Sequence, residues 1–421
     1  MSLFVPREPA APRRRALSRF RTALATLAVL GAGAMAPAAA SAAISPQYDP
    51  FYVPPADLAS HAPGDVLRSR TVPFHMSPQI KLPYKAYQVL FRTNDLRDGA
   101  SASVATIFIP TKRPATGRRL VSYQTAYDGV GPGCRPSYSF QNGKVALQGV
   151  ETLLIGSALS HGWTIVTTDY EGPYDEFGVG KTSGWNVLDG IRAAERFPAA
   201  GLADGVNTPV GMLGYSGGGQ ATAWAAELAK PYAPELKIIG AAQGGVGADL
   251  STVLSNFDGQ LFAGVGLAGI IGISNAYPQL GLEGKLSNRG RQLFKRMRTQ
   301  SACISDYAFE YAFTKFKSLT IDPTLLKQAP FVAAAQENSL GKDAPQIPVL
   351  WYDTLVNQMG SHATNLKVAK QYCAAGTPLS FRTSWHEEHA MQAFSWPFKA
   401  QAWISLRFNG APLDTNCDNL K

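Results

Sequence analysis

Gly214-Tyr215-Ser216-Gly217-Gly218 has the form G-x-S-x-G and stands between the apolar run Pro209-Val210-Gly211-Met212-Leu213 and a helix-forming stretch that begins at Gln220. Strand, sharp turn and helix in that order are the context of a nucleophile elbow. The glycines have steric jobs there. A serine held on a strained turn needs neighbours without a Cβ, so that the following helix can pack closely on the strand. The N–H of Gly217, at the helix N-terminus, is then placed to donate to an oxyanion. The competing reading is a glycine-rich strand-to-helix turn that carries no chemistry.

The first residues read as a segment apart from the fold. Arg13-Arg14-Arg15, Arg19 and Arg21 make a basic region, Ala23 to Met35 an apolar one, and Ala40-Ser41-Ala42 a small-residue cleavage site. That is the layout of a signal peptide over 1–42, with the mature chain starting near Ala43 after cleavage and the protein secreted. The apolar stretch is short for a membrane span and is interrupted by Gly31 and Gly33. Residues 1–42 hold six arginines and one glutamate, so the formal charge of +9 falls to +4 in the mature chain. That mild excess is spread along the sequence, with no Lys/Arg cluster to suggest nucleic acid as a partner. Residues 43–421 are enough for one large α/β domain carrying insertions. Cys134, Cys303, Cys373 and Cys417 all lie in the mature chain. An even count in an exported protein favours two disulfides, with the connectivity open, and no pair has metal-ligand spacing.

Residues 43–82 read as an extended, proline-punctuated lead-in. Strands are expected at Tyr87–Phe91, Val104–Ile109, Leu120–Tyr123, Thr164–Thr168, Val210–Leu213, Ile238–Ala242, Val349–Tyr352 and Leu379–Arg382. Helical stretches, notably Val150–His161, Trp185–Phe197 and Ala390–Arg407, lie among them. Strands alternating with helices call for a mostly parallel sheet covered on both faces, preceded here by an antiparallel hairpin. From about 250 to 340 the pattern turns helical, opening on the apolar run Leu261–Ile273. Such a run reads either as a buried helix or as an apolar cap facing a fatty substrate.

A serine nucleophile needs a base. In a sheet of this topology the order is nucleophile, acid, histidine, which leaves His362, His386 and His389. His389 follows the last strand and opens the last helical stretch, where the topology delivers a base to the sheet edge. The acid belongs in the loop after Val349–Tyr352, which reads Asp353-Thr354-Leu355-Val356-Asn357-Gln358. By reach Asn357 holds the usual position, and it is an amide. Its oxygen can accept the imidazole Nδ1–H, but it cannot stabilise the imidazolium. Presented the other way round, the amide fixes the wrong tautomer, a change that costs ~10⁴ in turnover in serine proteases. Asp353 is the alternative acid, and Asp249 a further candidate.

Several segments together resemble the secretory lipases, the lipase-A type of α/β-hydrolase. They are Asp49-Pro50-Phe51-Tyr52-Val53-Pro54-Pro55, Tyr87–Asp95, Val121-Ser122-Tyr123-Gln124, Cys134-Arg135-Pro136-Ser137-Tyr138, the elbow itself and Glu388-His389. The resemblance implies an α/β-hydrolase domain over 43–421 with a helical cap at 250–340, inserted between the sixth and seventh strands. It implies Ser216 as nucleophile, His389 as base, and Asp128 beside the N–H of Gly217 in the oxyanion hole. It also implies the disulfides Cys134–Cys303 and Cys373–Cys417. A carboxylate would repel an oxyanion, so Asp128 must be protonated or must donate through its backbone N–H. The departure from the family is Asn357, where an aspartate is expected.

The expected activity is therefore that of a secreted serine ester hydrolase, a triacylglycerol lipase or esterase working through an acyl-enzyme on an ester or lipid substrate, with a lipid–water interface as a possible partner. No metal or organic cofactor is required. Acyl transfer to another alcohol would use the same residues. The opposing reading is a lipase-fold protein that binds a lipid or a partner and has lost turnover with its acid.

Overall fold

A computed structural model describes residues 43–74, 83–97, 99–142, 148–299 and 303–420, so the expected signal peptide lies outside the described residues. Nine strands form one sheet: β1 Val66–Thr71, β2 Tyr84–Asn94, β3 Ala100–Pro110, β4 Leu120–Gln124, β5 Thr164–Thr168, β6 Val210–Tyr215, β7 Ile238–Gly244, β8 Val349–Val356 and β9 Leu379–Glu388. Their order is β1-β2-β3-β5-β4-β6-β7-β8-β9. β1, β2 and β3 pair antiparallel, β3 meets β5 antiparallel, and every later pairing is parallel. Every residue of β4, β5 and β6 is buried, as parallel strands covered on both faces require.

The eight expected strands are all present, most of them longer at their ends. β1 was not expected. Its sequence, Val-Leu-Arg-Ser-Arg-Thr, has no apolar alternation, and its positions are half-buried or exposed. It is an edge strand held by its ladder with β2 and by contacts such as Arg68 Nη1 to the Pro50 carbonyl, none of which a local pattern announces.

The helices are α1 Pro136–Asn142, α2 Gln148–Ser160, α3 Gly180–Arg196, α4 Gly217–Tyr232, α5 Leu250–Phe257, α6 Ala263–Ala276, α7 Leu282–Lys285, α8 Asn288–Thr299, α9 Ile304–Tyr307, α10 Ala329–Glu337, α11 His362–Ala374, α12 His389–Ser395 and α13 Pro397–Phe408. On one face of the sheet, Val187, Leu188 and Ile191 of α3 pack with Ala221 and Ala225 of α4 over β2, β3 and β6. On the other face, Leu154, Ile155 and Ala158 of α2 pack with Ala400 and Ile404 of α13. This is the α/β-hydrolase fold, with the C-terminal ends of its parallel strands free to carry a site.

The described residues of 250–340 hold helices and no named strand, only an isolated bridge between Leu286 and Thr320. The insertion falls between β7 and β8, which become the sixth and seventh strands when β1 is not counted. It has a core of its own, with Leu267, Ile271, Phe294, Met297, Tyr307 and Leu319 among its members. The apolar run becomes α6, with Ala263–Ile273 buried in the insertion and Ile270 and Ile273 lining a cavity there. Its glycines serve close packing: a Cβ at Gly264 would strike the Tyr307 carbonyl, and one at Gly272 the Phe177 backbone.

Cys134–Cys303 and Cys373–Cys417 are both joined, the first tying the segment after β4 to the helical insertion. Two of the segments that carried the resemblance, Asp49–Pro55 and Cys134–Tyr138, meet in space. Tyr52 and Ser137 share a hydroxyl hydrogen bond of 2.8 Å, and Ser137 donates from N–H and Oγ to the two oxygens of buried Asp169.

Candidate active site

Ser216 ends β6 and caps α4 with φ 54° and ψ −125°, a backbone position that L-residues avoid. The surroundings hold it there. Its N–H donates to the Gly244 carbonyl at 2.9 Å. A Cβ at Gly214 would run into the Gly218 carbonyl, and one at Gly217 into Asp128 Oδ1. The turn therefore requires glycine at 214, whereas a Cβ at 217 would fit only with the Asp128 carboxyl moved aside.

His389 is the first residue of α12, directly after β9. Its Nε2 lies 2.9 Å from Ser216 Oγ. The backbone of His389 is gripped on both sides: its N–H donates to Gln358 Oε1 at 3.1 Å, and its carbonyl accepts the Tyr215 hydroxyl at 2.6 Å. Burial pushes the imidazole down from its ordinary 6.5 to about 4, against the opposing pull of the Glu388 and Asp353 charges. At neutral pH the ring is uncharged, the state in which it can take a proton from Ser216.

The third position is incomplete. His389 Nδ1 is buried with no hydrogen-bond partner among the described residues. Asn357 spends its oxygen on the N–H groups of Met359 and Gly360, at 2.9 and 3.2 Å, and donates its Nδ2 to Asp353 Oδ1 at 3.1 Å. Asp353 is fully buried and faces His362, whose Nδ1 lies 2.9 Å from its Oδ2, with Asn365 Nδ2 at 3.0 Å from the same oxygen. Neither residue hydrogen-bonds His389. Asp249 caps α5, accepting the Thr252 N–H at 2.6 Å, and His386 is exposed.

On the far side of Ser216, Asp128 sits at φ 43° in the loop after β4. Its carboxyl is buried and packs on Gly217, with Oδ1 unpartnered among the described residues. Burial raises its pKa from 3.8 to about 7, so near neutrality a large share of it is the protonated acid, an O–H donor. The Tyr307 hydroxyl, reaching in from the cap, donates to the Asp128 carbonyl. A cavity of about 530 Å³ lies in the cap between α5, α6 and α10, and neither Ser216, His389 nor Asp128 lines it.

Tyr215, Gln358 and Gln392 also shape the site. Tyr215 fills the free position of the motif, and its ring lies between His389 and Tyr352, with centroids 5.0 and 5.9 Å away. Gln392 donates to the Asp353 carbonyl at 2.9 Å. The two glutamines act only through contacts across the chain, so no local pattern marks them.

The family model described as "Secretory lipase" matches residues 141–416. The chain is 33% identical over 374 residues to "Lipase A" of Moesziomyces aphidis, covering 85% of this chain and 79% of that one. It is equally 33% identical, over 377 residues, to a protein of Mycobacterium tuberculosis named "Probable inactive lipase", covering 87% and 83% of the two. Candida antarctica lipase A in its closed state superposes with a TM-score of 0.83 at 30% identity, over 90% of each chain. By that family match and these relatives, the chain belongs to the secretory lipase family.

Proposed function

We propose that the protein is a secreted carboxylic-ester hydrolase in which Ser216 is the nucleophile, His389 the base, and Gly217 and Asp128 the oxyanion hole. The observation that carries this is the 2.9 Å contact between Ser216 Oγ and His389 Nε2 on a positive-φ serine turn. Ser216 Oγ attacks the ester carbonyl while Nε2 takes its proton, and the carbonyl oxygen becomes an oxyanion held by the Gly217 N–H and the Asp128 acid. The bond to the leaving alkoxide breaks as His389 returns the proton to it. Water, deprotonated by the same imidazole, then releases the acid and restores Ser216.

Ester or lipid substrates are supported by the names of the relatives. A lipid–water interface is supported by exposed apolar side chains around the His389 edge: Trp385 (70% exposed), Met391 (60%) and Phe394 (55%). Export, with a signal peptide over 1–42, is supported by the family and by the two disulfides.

A second reading, a lipase-fold protein with weak or no turnover, is favoured by the unpartnered His389 Nδ1 and by the relative named inactive. Labelling with a fluorophosphonate, alongside tributyrin hydrolysis, separates the two. The hydrolase reading expects labelling that disappears in Ser216→Ala. Folded wild-type protein that neither labels nor hydrolyses tributyrin supports the second reading instead.

A further inference from the structure

The loop from Thr125 to Gly129, which carries Asp128, is tethered from below by two glutamates that no step above uses. Glu151 of α2 accepts the Ala126 N–H through Oε1 at 2.7 Å. Glu171, fully buried after β5, accepts the Gly129 N–H through Oε2 at 3.1 Å. Two further contacts brace the same loop: the Tyr170 hydroxyl donates to the Thr125 carbonyl at 2.7 Å, and the Glu171 N–H donates to the Tyr127 hydroxyl at 2.7 Å. Asp128 lies between the two tethered amides in a left-handed backbone position that a non-glycine residue keeps only when its surroundings over-determine it.

We propose that Glu151 and Glu171 are positioning residues for the reaction: their carboxyls hold the Thr125–Gly129 loop in the strained shape that presents Asp128 to Gly217 and to the oxyanion. The inference rests on the oxyanion reading of Asp128 given above.

Two carboxylates in this place would be costly if charged, since an unpaired buried charge loses its hydration without compensation. Burial raises Glu151 to about 8 and Glu171 well above its ordinary range, and the nearby Asp128 charge pushes both the same way. Glu151 as a residue is only half-buried, so Glu171 and Asp128 carry most of this argument. Arg135, the nearby cation, is committed to Asp175 at 2.9 Å. The glutamates thus serve as neutral acceptors that brace the loop without placing negative charge beneath an oxyanion. A glutamine can do the same, and an alanine cannot.

The experiment compares wild type with Glu171→Gln, Glu171→Ala and Glu151→Ala. Kinetics on a short-chain p-nitrophenyl ester, the rate of Ser216 phosphonylation, and amide hydrogen exchange at Ala126 and Gly129 are measured for each. Glu171→Gln should keep kcat within about three-fold and keep Gly129 protected. Glu171→Ala should lower kcat and the phosphonylation rate by about 10²-fold, the size of losing one oxyanion donor, with KM nearly unchanged and faster exchange at Gly129. If Glu171→Ala fails to fold, Glu151→Ala gives the equivalent reading at the Ala126 amide. A folded alanine variant with unchanged exchange and unchanged kcat overturns the proposal, and so does a glutamine variant as damaged in kcat as the alanine one. Ser216→Ala retaining full hydrolysis would instead overturn the nucleophile reading, while exchange at the two amides would still decide the tether.

Discussion

At His389 the chain holds the backbone firmly and leaves one ring nitrogen alone. Gln358 and Tyr215 fix the peptide on either side, so the ring reaches Ser216 without the carboxylate that usually orients it. What is absent is a bonded carboxylate: among the described residues nothing hydrogen-bonds Nδ1, and only the unbonded Glu388 and Asp353 charges favour the imidazolium that forms when Ser216 gives up its proton. Asn357→Asp should supply it. The new carboxylate would be repelled by Asp353, which now accepts the Asn357 amide, and would turn toward His389. An adjacent negative charge favours the protonated ring, so the imidazole pKa should climb from about 4. The expected outcome is at least ~10-fold higher kcat on short-chain esters, with the acid-side fall of kcat/KM moved to higher pH. A pH–rate profile that matches wild type in height and position would sink this account. Asp353→Ala should act differently, lowering stability through the loss of the His362, Asn365 and Asn357 contacts.

At the scale of elements, the elbow and the oxyanion loop meet with no room to spare. Gly217→Ala would place a methyl where Asp128 Oδ1 sits, pushing the acid away from the elbow without touching the core of either element. Turnover should fall by about 10²–10³-fold while the circular dichroism spectrum is unchanged. An active Gly217→Ala enzyme would show that the oxyanion forms elsewhere. This junction was half legible in the chain. The motif Gly214–Gly218 predicts the strand–turn–helix from local sterics, and β6 and α4 follow it closely. Asp128 became visible only by resemblance, since an aspartate in a loop after a strand is ordinarily a solvated residue. Glu151 and Glu171 gave no signal, because a buried neutral acid is defined by what surrounds it.

For the molecule as a whole, Cys134–Cys303 stitches the helical insertion to the segment that follows β4. Cys134 and Cys303 close a span of 169 residues, Cys373 and Cys417 one of 44. A longer closed loop restricts the unfolded chain more, so Cys134→Ser/Cys303→Ser should lower Tm further than Cys373→Ser/Cys417→Ser, by a loss of about 2–5 kcal/mol. Thermal unfolding of the two double variants checks this, and a larger drop for the shorter loop contradicts it. The first pair should also lose activity, because Tyr307, four residues beyond Cys303, holds the Asp128 carbonyl.

Periodicity and turn chemistry alone determined the alternation of strands and helices, the hairpin at the start of the sheet, the elbow, and the helical insertion, because each is specified by contacts within a few residues. Only the tertiary structure decided the edge strand β1, the burial of α6 inside the cap, and the attachment of Asp353 to His362 rather than His389. Each of those depends on which distant segment arrives alongside. Asn357 shows the boundary most plainly. Its identity was evident in the sequence, but the commitment of its oxygen to Met359 and Gly360 is a fact of the folded loop.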